Sequence, residues 1–216
     1  MAVPNDSITV TPGSGATVAT HLIGGKEYQV VMIAEEDGHI EHSGDFYKAL
    51  WPSQAVGANK LYLDLFNATG SGKSMRIHAV HAFVDNDTAV TGTLGVQLDL
   101  FKTTAVGTGG TAATANGTVS TAATISNVNS TTALPAGVTA RLAPTGGATV
   151  GAWLGTRWVF TEETNAGSAF AGQYGAGFLM DQSVPIVLNE NSGLRINQGA
   201  VASVGNISFE ILFELV

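Results

Sequence analysis

The chain has 216 residues, a net charge of −8 and only 12% charged side chains, yet 44% of it is hydrophobic. That charge content is about half the ~25% of an ordinary soluble domain, and the apolar content excludes a disordered chain. No run approaches the ~20 apolar residues of a membrane-spanning helix, no Gly repeats at every third position as in collagen, and the 27 glycines, with many threonines, interrupt any sustained helical pattern.

The first residues, Met1-Ala2-Val3-Pro4-Asn5-Asp6, carry neither a basic nor an apolar signal-peptide region. The expectation is a protein made in a cytoplasm. Ile8-Thr9-Val10-Thr11 alternates and stops at Pro12-Gly13, Gly24-Gly25 is a turn signal, Tyr28 to Ile33 reads as a β-branched strand, and Glu35-Glu36-Asp37-Gly38 as a polar turn. Seven of the 17 acidic residues lie in the first 45 positions, and none lies between Asp99 and Glu162. With too few apolar residues for a core of its own, the stretch 1–45 is expected to be an N-terminal arm or short β segment. The spacing at Asp45 to Leu50 allows a short helix.

The remainder, 46–216, reads as one β-sandwich domain. Strands are expected at Leu61 to Phe66, Met75 to Val84, Leu94 to Phe101, Val138 to Leu142, Ala152 to Phe160, Val184 to Leu188, Leu194 to Asn197 and Ile207 to Leu215. Turns rich in Gly, Asn, Asp and Thr separate them. The absence of intervening amphipathic helices argues against βαβ units. The fold class is therefore all-β, an antiparallel sandwich or barrel with an extended N-terminal arm. Residues 103–135 are expected to form a long low-complexity loop, and the stretch from Thr103 to Ala140 holds no charged side chain. Its lack of charge fits an interface core, so it is expected to be ordered by a neighbouring copy.

Chemistry-bearing patterns are sparse. Thr69-Gly70-Ser71-Gly72-Lys73-Ser74 resembles a P-loop, but the position where the first Gly belongs is Asn67 and the following segment reads as β, so a hairpin turn is the preferred reading. His78 and His81 are three apart, which on a regular strand places them on opposite faces. His39, Glu41 and His42 are the least poor metal ligands, and no metal or cofactor is expected. The acidic runs Glu35-Glu36-Asp37 and Glu162-Glu163 read as solvated faces, and Asp85-Asn86-Asp87 lacks the rest of an EF-hand. No Gly-x-Ser-x-Gly elbow has a matching His and Asp. Trp153 and Trp158 are five apart, again opposite faces on a regular strand; core packing is the expected role, whereas an exposed pair would point to sugar stacking. Cysteine is absent, so there is neither a disulfide nor a thiolate site. The nine Lys and Arg are scattered, which argues against nucleic acid and against a membrane surface.

Two segments carry a likeness. Pro185-Ile186-Val187-Leu188-Asn189-Glu190-Asn191-Ser192-Gly193-Leu194-Arg195-Ile196-Asn197, followed by Ile207 to Glu214, resembles the closing strands of jelly-roll proteins in tailed-bacteriophage virions. Ile8 to Gly15 with Gly24 to Val31 is similar to the N-terminal arms of small phage structural proteins. The resemblance implies that the antiparallel β-sandwich is jelly-roll-like and that the chain is a non-enzymatic head decoration (cement) protein at the virion head surface, or else a collar, tail or fibre component. Its expected partners are itself, as a homotrimer, and the major capsid protein of the shell. Interface residues are expected on the arm (Ile8, Val10, Tyr28, Val30) and in the uncharged stretch (Val119, Ile125, Val128). The alternative is a carbohydrate- or receptor-binding sandwich of a collar, tail or fibre, which requires exposed aromatics beside acid or amide groups.

Overall fold

The computed structural model describes residues 19–23, 26–30, 45–84, 92, 95–115, 122–128, 134–146, 150–161, 175–177 and 186–216. The chain divides into two compact units, Met1–Ser43 and Gly44–Val216. In the first, β1 (Ala19–Ile23) pairs antiparallel with β2 (Lys26–Val30). Ile23 stands opposite Lys26, so only the Gly24-Gly25 pair separates the strands, as a two-residue hairpin connection requires.

The second unit is all-β; among the described residues there is no helix. Its strands are β3 (Asp45–Ala55), β4 (Leu61–Asn67), β5 (Met75–Val84), β6 (Gly95–Thr103), β7 (Thr111–Ala112), β8 (Thr114–Ala115), β9 (Thr124–Asn127), β10 (Val138–Leu142), β11 (Val150–Phe160), β12 (Gly175–Gly177), β13 (Ile186–Leu188), β14 (Ser192–Gln198) and β15 (Asn206–Leu215). One sheet runs β12-β5-β15-β3-β9-β8, with β13 also on β5, and the other runs β11-β6-β14-β4-β10-β7. All pairings are antiparallel except β8 with β9. Strands β3 to β6 alternate between the sheets, β3 and β5 in the first and β4 and β6 in the second; β11 pairs beside β6 in the second, and of the last two strands β14 belongs to the second and β15 to the first. This double Greek-key order makes the sandwich a jelly roll.

Period-two burial builds the core. On β15 the buried apolar side chains are Ile207, Phe209, Ile211, Phe213 and Leu215, and on β6 they are Val96, Leu98 and Leu100. Across the gap Tyr62 meets Phe209 at 5.3 Å between ring centroids, while within the first sheet Tyr47 stacks on its cross-strand partner Phe213 at 5.5 Å. Each such side chain contributes about 1.5–3 kcal/mol through burial. Burial pushes the Tyr62 phenol well above its ordinary pKa. It stays neutral and donates to Gln198 Oε1, which also accepts from the Gly57 N–H at 2.8 Å.

Two expectations are corrected. Residues 45–50 are not helical but open an eleven-residue strand, β3. Tyr47, Ala49 and Trp51 alternate into the core, and the register against β15 shifts between Trp51 and Gln54, so that Pro52 sits in a bulge that tolerates its missing N–H. The stretch 103–135 is not simply a loop. Its described parts form β7, β8 and β9, which with β10 extend both sheets on the side of β3 and β4. Ile125 is buried in the chain's own core beside Ala49.

Gly193 shows how closely β14 packs. A Cβ there would lie 2.4 Å from the Leu65 carbonyl oxygen and 2.6 Å from the Phe66 ring. Gly193→Ala is expected to cost about 1–3 kcal/mol from overpacking, read as a lower urea midpoint at unchanged slope.

Candidate functional site

Among the described residues the second sheet ends at β11, which pairs with β6 alone. β11 is eleven residues long, and Arg157 is its one charged residue. Of the ten large hydrophobic side chains exposed among the described residues, five lie on it: Val150, Trp153, Leu154, Trp158 and Phe160. Natural proteins shield an edge strand with charge, proline, short length or a bulge. β11 has a bulge, but keeps its length and its apolar surface.

The bulge decides where the aromatic rings point. Trp158 stands opposite Gln97 and Trp153 opposite Phe101, with register shifts between Val150 and Trp153 and between Trp153 and Gly155. Gln97 and Phe101 are four apart on the unbroken strand β6, hence on one face, and their partners share it. The two tryptophans, 62% and 50% exposed, therefore lie together on the outer face, not on opposite faces with one in the core. Phe160 joins them opposite Gly95, where a Cβ would already touch both Trp158 and Phe160 at about 3.5–3.6 Å.

Beside these rings lies a polar row, with Thr156 opposite Asp99 and Asp99 opposite Asn197. Thr156 donates its hydroxyl to Asp99 Oδ1, and Gln97 Nε2 donates to Asp99 Oδ2 at 3.1 Å. The half-buried carboxylate is thus fixed from two sides.

One ladder row further, Asp64 stands between Arg141 and Arg195 on the flanking strands. It is fully buried under the 107–110 turn and accepts the Gly107 N–H at 2.9 Å, while Oδ1 has no hydrogen-bond partner. Burial raises its pKa, opposed by the Gly107 N–H and by the charges of Arg195 and Arg141. Arg141 also donates to the Gly109 carbonyl at 3.1 Å.

The other singled-out residues find local roles. The Gly-Ser turn at 69–73 does gather N–H groups around an anion, but that anion is the chain's own Glu190, at 3.0 Å from Gly70 N and 2.8 Å from Gly72 N. His78 and His81 both face glutamates of β15, Glu214 at 3.4 Å and Glu210 at 3.9 Å. A register shift between Ile77 and Ala79 places them on one face, contrary to the spacing argument. Among the described residues no group of three His, Cys, Asp or Glu could hold a metal. His39, Glu41, His42, Glu35, Glu36, Asp37, Asp85, Asp87, Glu162 and Glu163 lie outside the described residues.

Of the expected interface residues, Ile125 is core, Val128 is 55% exposed just beyond β9, and Tyr28 and Val30 lie on β2 opposite His21 and Ala19. Ile8, Val10 and Val119 lie outside the described residues. The surface that sequence reasoning missed is β11 as a whole. An apolar run with a single charge was legible, but not that it would form a sheet edge.

The chain is thus a jelly-roll β-sandwich with an apolar edge strand and an aromatic outer face. It matches no family model, no curated protein and no solved structure.

Proposed function

We propose that the chain is a non-enzymatic structural protein of a virion, which self-associates and binds the capsid shell as a decoration or cement protein at the head surface. The observation that carries the self-association is β11, a long edge with five exposed apolar side chains. Edges of this kind add a strand or a face from a partner, and contiguous apolar patches mark protein contacts. An interface of ~800 Å² per partner suffices for specific association, and shell symmetry would repeat it. The resemblance of residues 185–197 and 207–214 to virion jelly rolls supports the location, and the homotrimer and the major capsid protein are its expected partners.

Light scattering of the purified protein should show an oligomer, shifted toward monomer by Leu154→Lys, which sets a charge on the edge. A wild-type monomer without shell affinity would overturn the reading. Deletion of residues 1–40 should reduce shell occupancy; unchanged occupancy would remove the arm from the contact.

One observation favours a second reading, a carbohydrate- or receptor-binding sandwich of a collar, tail or fibre. Trp153 and Trp158 share an exposed face beside Asp99 and Gln97. That is the combination such a function requires.

A further inference from the structure

Resting on that second reading, we propose that the outer face of β11, β6 and β14 binds an uncharged saccharide chain, with a sugar ring laid on Trp158 and Phe160 and its hydroxyls donating to Asp99. Three features of the face select this ligand class.

The first is shape. Gly95 removes a side chain opposite Phe160 and beside Trp158, leaving the two ring systems, 59% and 50% exposed, standing over a shallow floor. A flat apolar body with a polar rim suits such rings, and the C–H faces and hydroxyl edges of a pyranose have that form.

The second is the fixed acceptor. A carboxylate offers about four lone-pair positions. Asp99 uses three, on the Thr156 hydroxyl and on Gln97 Nε2, which reaches Oδ1 at 3.3 Å and Oδ2 at 3.1 Å. One position remains on a side chain that its neighbours hold still, so a donor meets it without an ordering cost. Sugar hydroxyls are such donors.

The third is charge. The two ladder rows through Trp158 and Thr156 contain one ionisable side chain, Asp99; in the Trp153 row Arg195 is balanced by Asp64 opposite it, and the whole chain carries −8. Like charge on the ligand would be repelled, so acidic sugars are disfavoured and neutral ones accepted. Trp153, on the far side of the polar row, extends the platform along the strand and gives a second stacking position for a chain longer than one ring.

The test is an array of neutral oligosaccharides (glucans, mannans and galactans) and acidic oligouronates, probed with the full-length protein and followed by titration of the best ligand. The expected result is binding within the neutral set, weakened at least tenfold by Trp158→Ala and by Asp99→Asn. Both variants should keep the wild-type melting temperature, and Asp99→Asn, which leaves the apolar side chains of β11 in place, the wild-type oligomeric state. Binding confined to the acidic set, or equal affinity in W158A, overturns the inference alone. If no form of the folded protein binds any saccharide, the inference falls and so does the carbohydrate reading behind it. The self-association reading is judged separately, by the response to Leu154→Lys.

Discussion

Trp51→Ala will lower the unfolding free energy by about 3–5 kcal/mol, the usual cost of truncating a fully buried tryptophan. The side chain is 1% exposed in the middle of β3. Its indole N–H donates to the Arg141 carbonyl at 3.0 Å, which belongs to β10 in the opposite sheet. Truncation therefore opens a cavity and also removes a hydrogen bond that ties the two sheets together. At about 2–4 °C per kcal/mol for a domain of this size, the midpoint of thermal unfolding should fall by roughly 6–20 °C. Trp158→Ala is the internal control. That ring is half exposed, and surface changes usually stay within about 0.5 kcal/mol. Equal losses for the two variants would mean that Trp51 does not join the sheets.

The second large effect is at Asp64. Asp64→Ala removes the acceptor of the Gly107 N–H and the carboxylate that faces Arg141 and Arg195. Removing one member of a buried charged cluster costs about 3 kcal/mol, the lower end of the usual range, because both arginines are only half-buried. Asp64→Asn keeps an acceptor and isolates the charge. Since burial raises the folded pKa above 3.8, the folded state holds the proton more tightly than the unfolded state. Stability from this group is then fully present below the unfolded pKa and is lost as pH rises through the raised folded value. The wild-type minus D64N difference in urea-derived stability should fall over that window and level off above it. A difference that grows with pH would show that the arginine charges outweigh the burial.

Much of the fold was legible in the residues. Met75 to Val84 and Val138 to Leu142 coincide with β5 and β10, because alternation and β-branched content agree there. The jelly-roll expectation rested on resemblance, and the strand order agrees with it. What failed shares one cause. Odd or even spacing assigns side chains to faces only along an unbroken strand. One bulge at Trp153–Gly155 and one at Ile77–Ala79 reverse that parity, so His78 and His81 share a face, as do Trp153 and Trp158. A register shift arises from pairing with a partner strand and cannot be read from the strand alone. β3 was missed for a related reason. Phe46, Tyr47, Ala49 and Leu50 fit a helical stripe as well as a strand, and only pairing with β15 and β9 settles it. The candidate site was half legible. Its tryptophans and the requirement for a nearby acid were named, but Asp99 was read only as an outward residue of an alternating strand.

The position of β15 has a consequence for how the molecule is made. It lies between β3 and β5, pairing with both along nearly its whole length, yet it is the last strand in chain order. A ribosome delivers β3 some 150 residues before β15, counted from Ala55 and Asn206, and until then the middle of that sheet is a gap with two open edges. The sandwich closes only when the final strand emerges. Folding dominated by such distant pairings is slow, in the millisecond-to-second range. Nascent chains that lie close together would be prone to exchange their last strands, filling one another's gaps before their own.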